Sequence, residues 1–68
     1  MPALNRTNAI TYLQSKHLLA INVVNVDEFL EDATPVIRVT FVHDGEVEHA
    51  SVWIERRDDQ STFIHGEW

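Results

Sequence analysis

The residues best suited to metal chemistry lie together in His43 to His49, which reads H-D-G-E-V-E-H. Imidazole nitrogens and carboxylate oxygens bind zinc only when they converge on one point at about 2.0–2.2 Å. Successive side chains of a strand point to opposite faces of the sheet. If the segment is a hairpin, His43 and His49 point away from each other. We therefore expect no metal site here.

Paired carboxylates could serve as a general acid and base, and Glu46 with Glu48 and Asp58 with Asp59 form such pairs. That chemistry requires one carboxyl to be removed from water so that the two pKa values separate. Both pairs adjoin expected turns, where side chains stay solvated. The sequence also lacks a Gly-rich phosphate loop, a Gly-x-Ser-x-Gly elbow and a His-Glu-x-x-His motif. It therefore predicts a protein that is not an enzyme and that uses no cofactor.

The chain is acidic, with eleven Asp and Glu against five Lys and Arg, and a net charge of −6 at pH 7. This charge repels phosphate backbones, and the basic residues are scattered, so direct nucleic-acid binding is not expected. The acids could instead imitate nucleic acid in the basic groove of a partner, or they could simply keep the protein soluble. The acids of this candidate surface are Asp27, Glu28, Glu31, Asp32, Asp44, Glu46 and Glu48.

Length and composition set the scale of the fold. With 68 residues, 44% of them hydrophobic and 24% charged, the chain is expected to form a single small domain over residues 1–68. It has no cysteine, so packing alone must hold it together. The N-terminal residues lack the pattern of a signal peptide, and no apolar stretch is long enough to span a membrane. These features predict a cytoplasmic protein without membrane contact.

Val36 to Glu55 positions the candidate residues and is predicted to be a β-hairpin. Two β-branched, apolar runs flank Asp44-Gly45, a pair that suits a type I′ turn because both central residues need positive φ. His43 then faces Glu46, and the register follows along both strands. One face collects the expected core side chains, namely Ile37, Val39, Phe41, Ala50, Val52 and Ile54.

The segments before the hairpin predict a helix and a further strand. Asn5 or Thr7 can cap the helix, and its inward residues would be Ala9, Ile10, Leu13 and His17. Leu18 to Val26 favours a strand, in which a slip of the alternation at Val23-Val24 indicates either a bulge or an early end. Asp27 to Asp32 is expected to be a helical turn or an irregular loop.

After the hairpin, a turn at Asp58 and Asp59 predicts a last strand from Ser61 to His65. This turn would pair Trp53 with Ile64 and Ile54 with Phe63. The expected fold is therefore α+β, with one N-terminal helix packed on an antiparallel meander of three or four strands around the central Asp-Gly hairpin.

The hypothesis for function concerns the sheet face that the helix does not cover. A predicted row of Val36, Trp53 and Ile64, flanked by Val42 and Val47, would lie there. Tryptophan is enriched among residues that anchor protein interfaces, although exposed apolar residues are also common on any protein. The leading interpretation is a non-enzymatic module that binds a protein partner with a basic surface, as small accessory or inhibitor proteins do. The alternative is a homodimer that uses the same row.

Overall fold

The computed structural model describes residues 4–16 and 21–68. In these residues one helix, α1 (Arg6–Lys16), precedes the strands β1 (Asn22–Glu31), β2 (Thr34–His43), β3 (Glu46–Arg56) and β4 (Thr62–Glu67). The four strands form one open antiparallel sheet in the order β1-β2-β3-β4. The predicted α+β fold, a helix on an antiparallel meander, is confirmed.

Helix α1 begins where the capping pattern predicts. The side-chain Oδ1 of Asn5 accepts a hydrogen bond of 2.8 Å from the backbone N–H of Asn8, so Asn5 is the N-cap. Ala9 and Leu13 are fully buried, and Leu4 packs against the same core. The predicted inward residue His17 lies outside the described residues, as does the part of the predicted strand at 18–20.

The central hairpin has the predicted turn and register. Asp44 and Gly45 adopt φ angles of 55° and 80°, and His43 pairs with Glu46. The core lies between this hairpin and α1. It contains the five most deeply buried of the predicted hairpin residues together with residues of the N-terminal segment, as follows: Ala9, Leu13, Ile21, Ile37, Val39, Phe41, Ala50 and Val52.

The prediction for Asp27 to Asp32 is wrong, because β1 continues through this segment to Glu31. Asp32 and Ala33 both have positive φ, at 50° and 66°, and form a tight turn that pairs Glu31 with Thr34. The strand tolerates its acids because it lies at the edge of the sheet, where side chains are solvated. Of the two alternatives predicted from the alternation, a bulge or an early end of the strand, the bulge is present, since the register shifts between Val23 and Asn25.

Ala33→Gly is expected to stabilise the protein by about 0.5–1 kcal/mol, because an L-residue with a side chain is strained at positive φ and glycine is not. The midpoint of urea unfolding measures this gain. Ala50→Gly is the matched control, since the buried Ala50 lies within β3 and its replacement should destabilise the protein. A loss of stability in Ala33→Gly would contradict the positive φ at this turn.

The predicted register of the last strand is wrong by one residue. Gln60 adopts a φ of 72° and its N–H donates to the carbonyl of Arg57, so the loop holds three residues, 58–60, instead of two. Ile54 therefore pairs with Ile64, and Glu55 pairs with Phe63. A shift of one residue exchanges the two faces of a strand, so Ile64 packs against the core while Phe63 lies on the opposite face.

Gly66 lets α1 approach β4. A Cβ atom at this position would lie 2.6 Å from Cε1 of Tyr12, which is too close for two carbon atoms. Tyr12 also contacts the ring of Trp68, with the centroids 6.4 Å apart. The ring of Tyr12 thus lies directly over Gly66, and a side chain at this position would force the ring to move.

Gly66→Ala is expected to cost about 1–3 kcal/mol through this overlap. In a double-mutant cycle with Tyr12→Ala, the two losses should not add, because removing the ring also removes the clash. Urea unfolding of the four proteins measures the coupling. Strictly additive losses would mean that Tyr12 does not lie over Gly66.

Candidate functional site

The histidines of the segment His43 to His49 lie on opposite faces of the sheet, as predicted. Nδ1 of His43 is 3.0 Å from a carboxylate oxygen of Glu48 on the helix side. Nδ1 of His49 is 3.2 Å from Oγ1 of Thr40 on the other side. Within residues 4–16 and 21–68, no group of three His, Asp or Glu side chains could hold a metal ion.

The acids of the candidate acidic surface are not brought together. Glu31 and Asp32 adjoin the β1–β2 turn, whereas Asp44, Glu46 and Glu48 adjoin the β2–β3 turn. The ten residues of β2 separate these turns, a distance of about 30 Å at 3.3 Å per residue. Asp27 and Glu28 point to opposite faces of β1. The acids therefore form no single patch.

The carboxylates of Asp58 and Asp59 are exposed, as expected for a turn. The hydroxyl and then the backbone N–H of Ser61 donate hydrogen bonds to Asp59, and these bonds lower the pKa of its carboxyl. A lowered pKa keeps this group ionised at neutral pH, so it acts as a turn acceptor and does not supply a proton.

The predicted binding row needs three corrections. Ile64 belongs to the core side, because the three-residue loop shifts its register. Val36 is only 3% exposed, so it forms the floor of the surface and offers little contact area itself. Val42 and Val47 pair with each other near the β2–β3 turn, about 20 Å along β3 from Trp53.

A different set of side chains surrounds Trp53. Phe29 pairs with Val36, and Trp53 pairs with His65. Val36 lies opposite Trp53 when the register of the central hairpin is extended by one pair. Phe63 points to the same face as His65. We call these five residues, Phe29, Val36, Trp53, Phe63 and His65, the aromatic patch. Apart from the buried Val36, all of them are partly exposed.

The rings of the aromatic patch are held by contacts within the sheet. The indole N–H of Trp53 donates a 2.7 Å hydrogen bond to Glu55. The ring centroid of His65 is 5.0 Å from that of Trp53 and 6.5 Å from that of Phe63. These contacts restrict the orientation of the Trp53 ring, and a side chain that is already ordered loses less entropy when it forms an interface.

Both arginines near the patch lie over phenylalanine rings. The guanidinium of Arg38 is 5.0 Å from the Phe29 centroid, and that of Arg57 is 4.3 Å from the Phe63 centroid. Cations are attracted to the faces of aromatic rings at such distances. Four carboxylates share this face of the sheet, so its rim carries more negative than positive charge. These acids are Asp27, Glu31, Glu55 and Glu67.

Sequence reasoning missed Phe29, Phe63 and His65 as members of this surface. The spacing of Asp59 and Ser61 was a usable signal, because an Asp side chain that accepts from the N–H two residues later is typical of a turn. For Phe29 the sequence offered less, since Asp32-Ala33 lacks the glycine that usually marks a type I′ turn.

Comparison with protein-family models, curated proteins and solved structures finds no match to this chain. Across the described residues, no helix combines the length and the apolar character needed to cross a membrane.

Proposed function

We propose that this chain is a non-enzymatic module that binds a protein partner through the aromatic patch. The observation that carries the proposal is the position of the patch. In residues 4–16 and 21–68, α1 is the one element outside the sheet, and it packs on the opposite face. Phe29, Trp53 and Phe63 thus offer aromatic area, the kind of surface that anchors protein interfaces.

The charge of the surrounding rim favours a partner with a basic surface. The face carries four carboxylates, while Arg38 and Arg57 are its basic residues near the patch. In a two-fold dimer the same patch would meet its own copy, and the excess of negative charge on each side would repel. A basic partner gains from the same charges, so we prefer it to the homodimer.

Trp53→Ala is expected to weaken partner binding at least about 30-fold, the effect of losing a central interface tryptophan. The fold should survive with a loss of about 1–2 kcal/mol, because the ring is only partly buried. Immobilised wild-type protein is used to capture the partner, which is then purified and titrated calorimetrically. Val47→Ala is the matched control, since Val47 is 66% exposed on the same face but lies far from the patch.

Equal affinity of the purified partner for wild type and Trp53→Ala would contradict the proposal. Sedimentation equilibrium at several concentrations tests the homodimer. A wild-type dimer that Trp53→Ala dissociates would show that the occupant of the patch is a second copy of the chain.

A further inference from the structure

A narrow groove opens beside Trp53 at the end of the sheet where β1 turns into β2. Its volume is about 210 Å³, and its lining consists of Glu31, Asp32, Thr34, Val36 and Trp53. Sites for small molecules and cofactors usually measure roughly 300–1,000 Å³. The groove is therefore better matched to one side chain than to a whole ligand.

The lining combines features that suit a long cationic side chain. Val36 is almost completely buried and closes the base of the groove with apolar atoms, while the partly exposed Thr34 and Trp53 offer contact area for methylene groups. Trp53 supplies an indole ring, the aromatic system that attracts cations most strongly. Glu31 and Asp32 are exposed carboxylates at the turn, and the lining contains no basic residue to neutralise them.

These features distinguish arginine from lysine. A guanidinium is planar, so it stacks on aromatic rings and donates two parallel hydrogen bonds to a carboxylate. An ammonium group neither stacks on a ring nor forms such a parallel pair of hydrogen bonds. The chain itself places a guanidinium over each of two other rings of the patch, since Arg38 lies 5.0 Å from the Phe29 centroid and Arg57 lies 4.3 Å from the Phe63 centroid. At Trp53 the lining supplies the ring and the carboxylates without the arginine.

We propose that the groove receives an arginine side chain of the partner protein, with its stem along Thr34 and over the buried Val36 and its guanidinium between Trp53 and the carboxylates of Glu31 and Asp32. This inference rests on the proposed function, because the arginine belongs to the protein that covers the aromatic patch. The inference adds to the proposed function the type of residue, arginine, that the partner inserts.

The probe for this inference is the peptide acetyl-Gly-Arg-Gly-amide, compared with peptides in which lysine or citrulline replaces arginine. Citrulline keeps the shape of arginine but has no charge. Titration followed by ¹H–¹⁵N NMR is expected to shift the Trp53 indole signal and the amides of Glu31 and Asp32, with millimolar affinity for a single side chain. The lysine peptide should bind more weakly, and the citrulline peptide should cause no saturable shift.

A pair of variants with equal loss of charge tests the groove itself. Glu31→Gln with Asp32→Asn should weaken binding of the arginine peptide about fivefold to tenfold, as expected for the loss of exposed ion pairs. Asparagine also tolerates the positive φ of position 32. Asp44→Asn with Glu46→Gln removes two charges at the β2–β3 turn, outside both the groove and the aromatic patch, and should change the affinity less than twofold.

Two results would overturn the inference. Equal binding of the citrulline and arginine peptides would show that charge is not recognised. Equal losses in the two double variants would show that only the net charge of the protein acts on the peptide.

Phe63→Ala separates this inference from the proposed function, since Phe63 is in the aromatic patch but not in the groove. If the arginine peptide does not bind while Phe63→Ala and Trp53→Ala both weaken binding of the purified partner, the groove inference is wrong and the proposed function stands. If the peptide binds while neither variant weakens partner binding, the groove recognises arginine and the proposed function is wrong.

Discussion

Phe41→Ala is expected to cost about 3–5 kcal/mol, the usual range for deleting a buried phenylalanine. Phe41 has no exposed surface and is among the largest fully buried side chains of the described residues. A chain of this length has a total stability of roughly 3–10 kcal/mol. Much of the variant should therefore be unfolded, or close to its unfolding midpoint, at 25 °C.

Circular dichroism during urea titration measures this loss, with Val47→Ala as the matched control. Val47 also lies on the central hairpin but is mostly exposed, so its truncation should change the stability by less than about 0.5 kcal/mol. Comparison with Trp53→Ala then tests the two sides of one sheet. A Phe41→Ala variant as stable as Trp53→Ala would contradict the assignment of core and open face.

Gly45→Val is expected to cost about 2–3 kcal/mol, because a β-branched residue strongly resists positive φ. Gly45 has a φ of 80°, and an added Cβ atom would contact nothing within 4 Å. The Cβ atom itself therefore causes no clash, and the expected loss is assigned to the backbone conformation. Since the turn sets the register of the central hairpin, the strain acts on both of its strands.

Gly45→Asn is the control for this prediction, since asparagine adopts positive φ more readily than other side-chain-bearing residues. Its loss should be less than half that of Gly45→Val in the same urea titration. Equal stability of Gly45→Val and wild type would mean that the backbone at this turn is not constrained to positive φ.

The central hairpin was predictable because the residue types in its turn indicate the backbone conformation. Asp44-Gly45 is a pair that accepts positive φ at both positions, and it fixed the register correctly from His43 to Ile37. The residue types in the β1–β2 and β3–β4 turns do not indicate positive φ in this way. Ala33 and Gln60 adopt φ angles of 66° and 72°, which side-chain-bearing residues other than Asn and Asp rarely do.

The same difference explains which part of the aromatic patch could be predicted. Val36 and Trp53 depend on the central hairpin, so their shared face followed from its turn. Phe29 and His65 depend on the flanking turns, where one residue more or less in the loop decides which face a side chain takes. Ile64 was assigned to the wrong face for this reason alone.

The bulge in β1 has a consequence for how the protein behaves at high concentration. An edge strand offers its unpaired main-chain groups to any other extended chain, and a long, regular edge is a template for aggregation. The shift of register around Val24 breaks the regular spacing of these groups, and Asp27, Glu28 and Glu31 make two such edges repel. The bulge therefore hinders the addition of further strands at this edge, which is the step by which a sheet grows into a fibril.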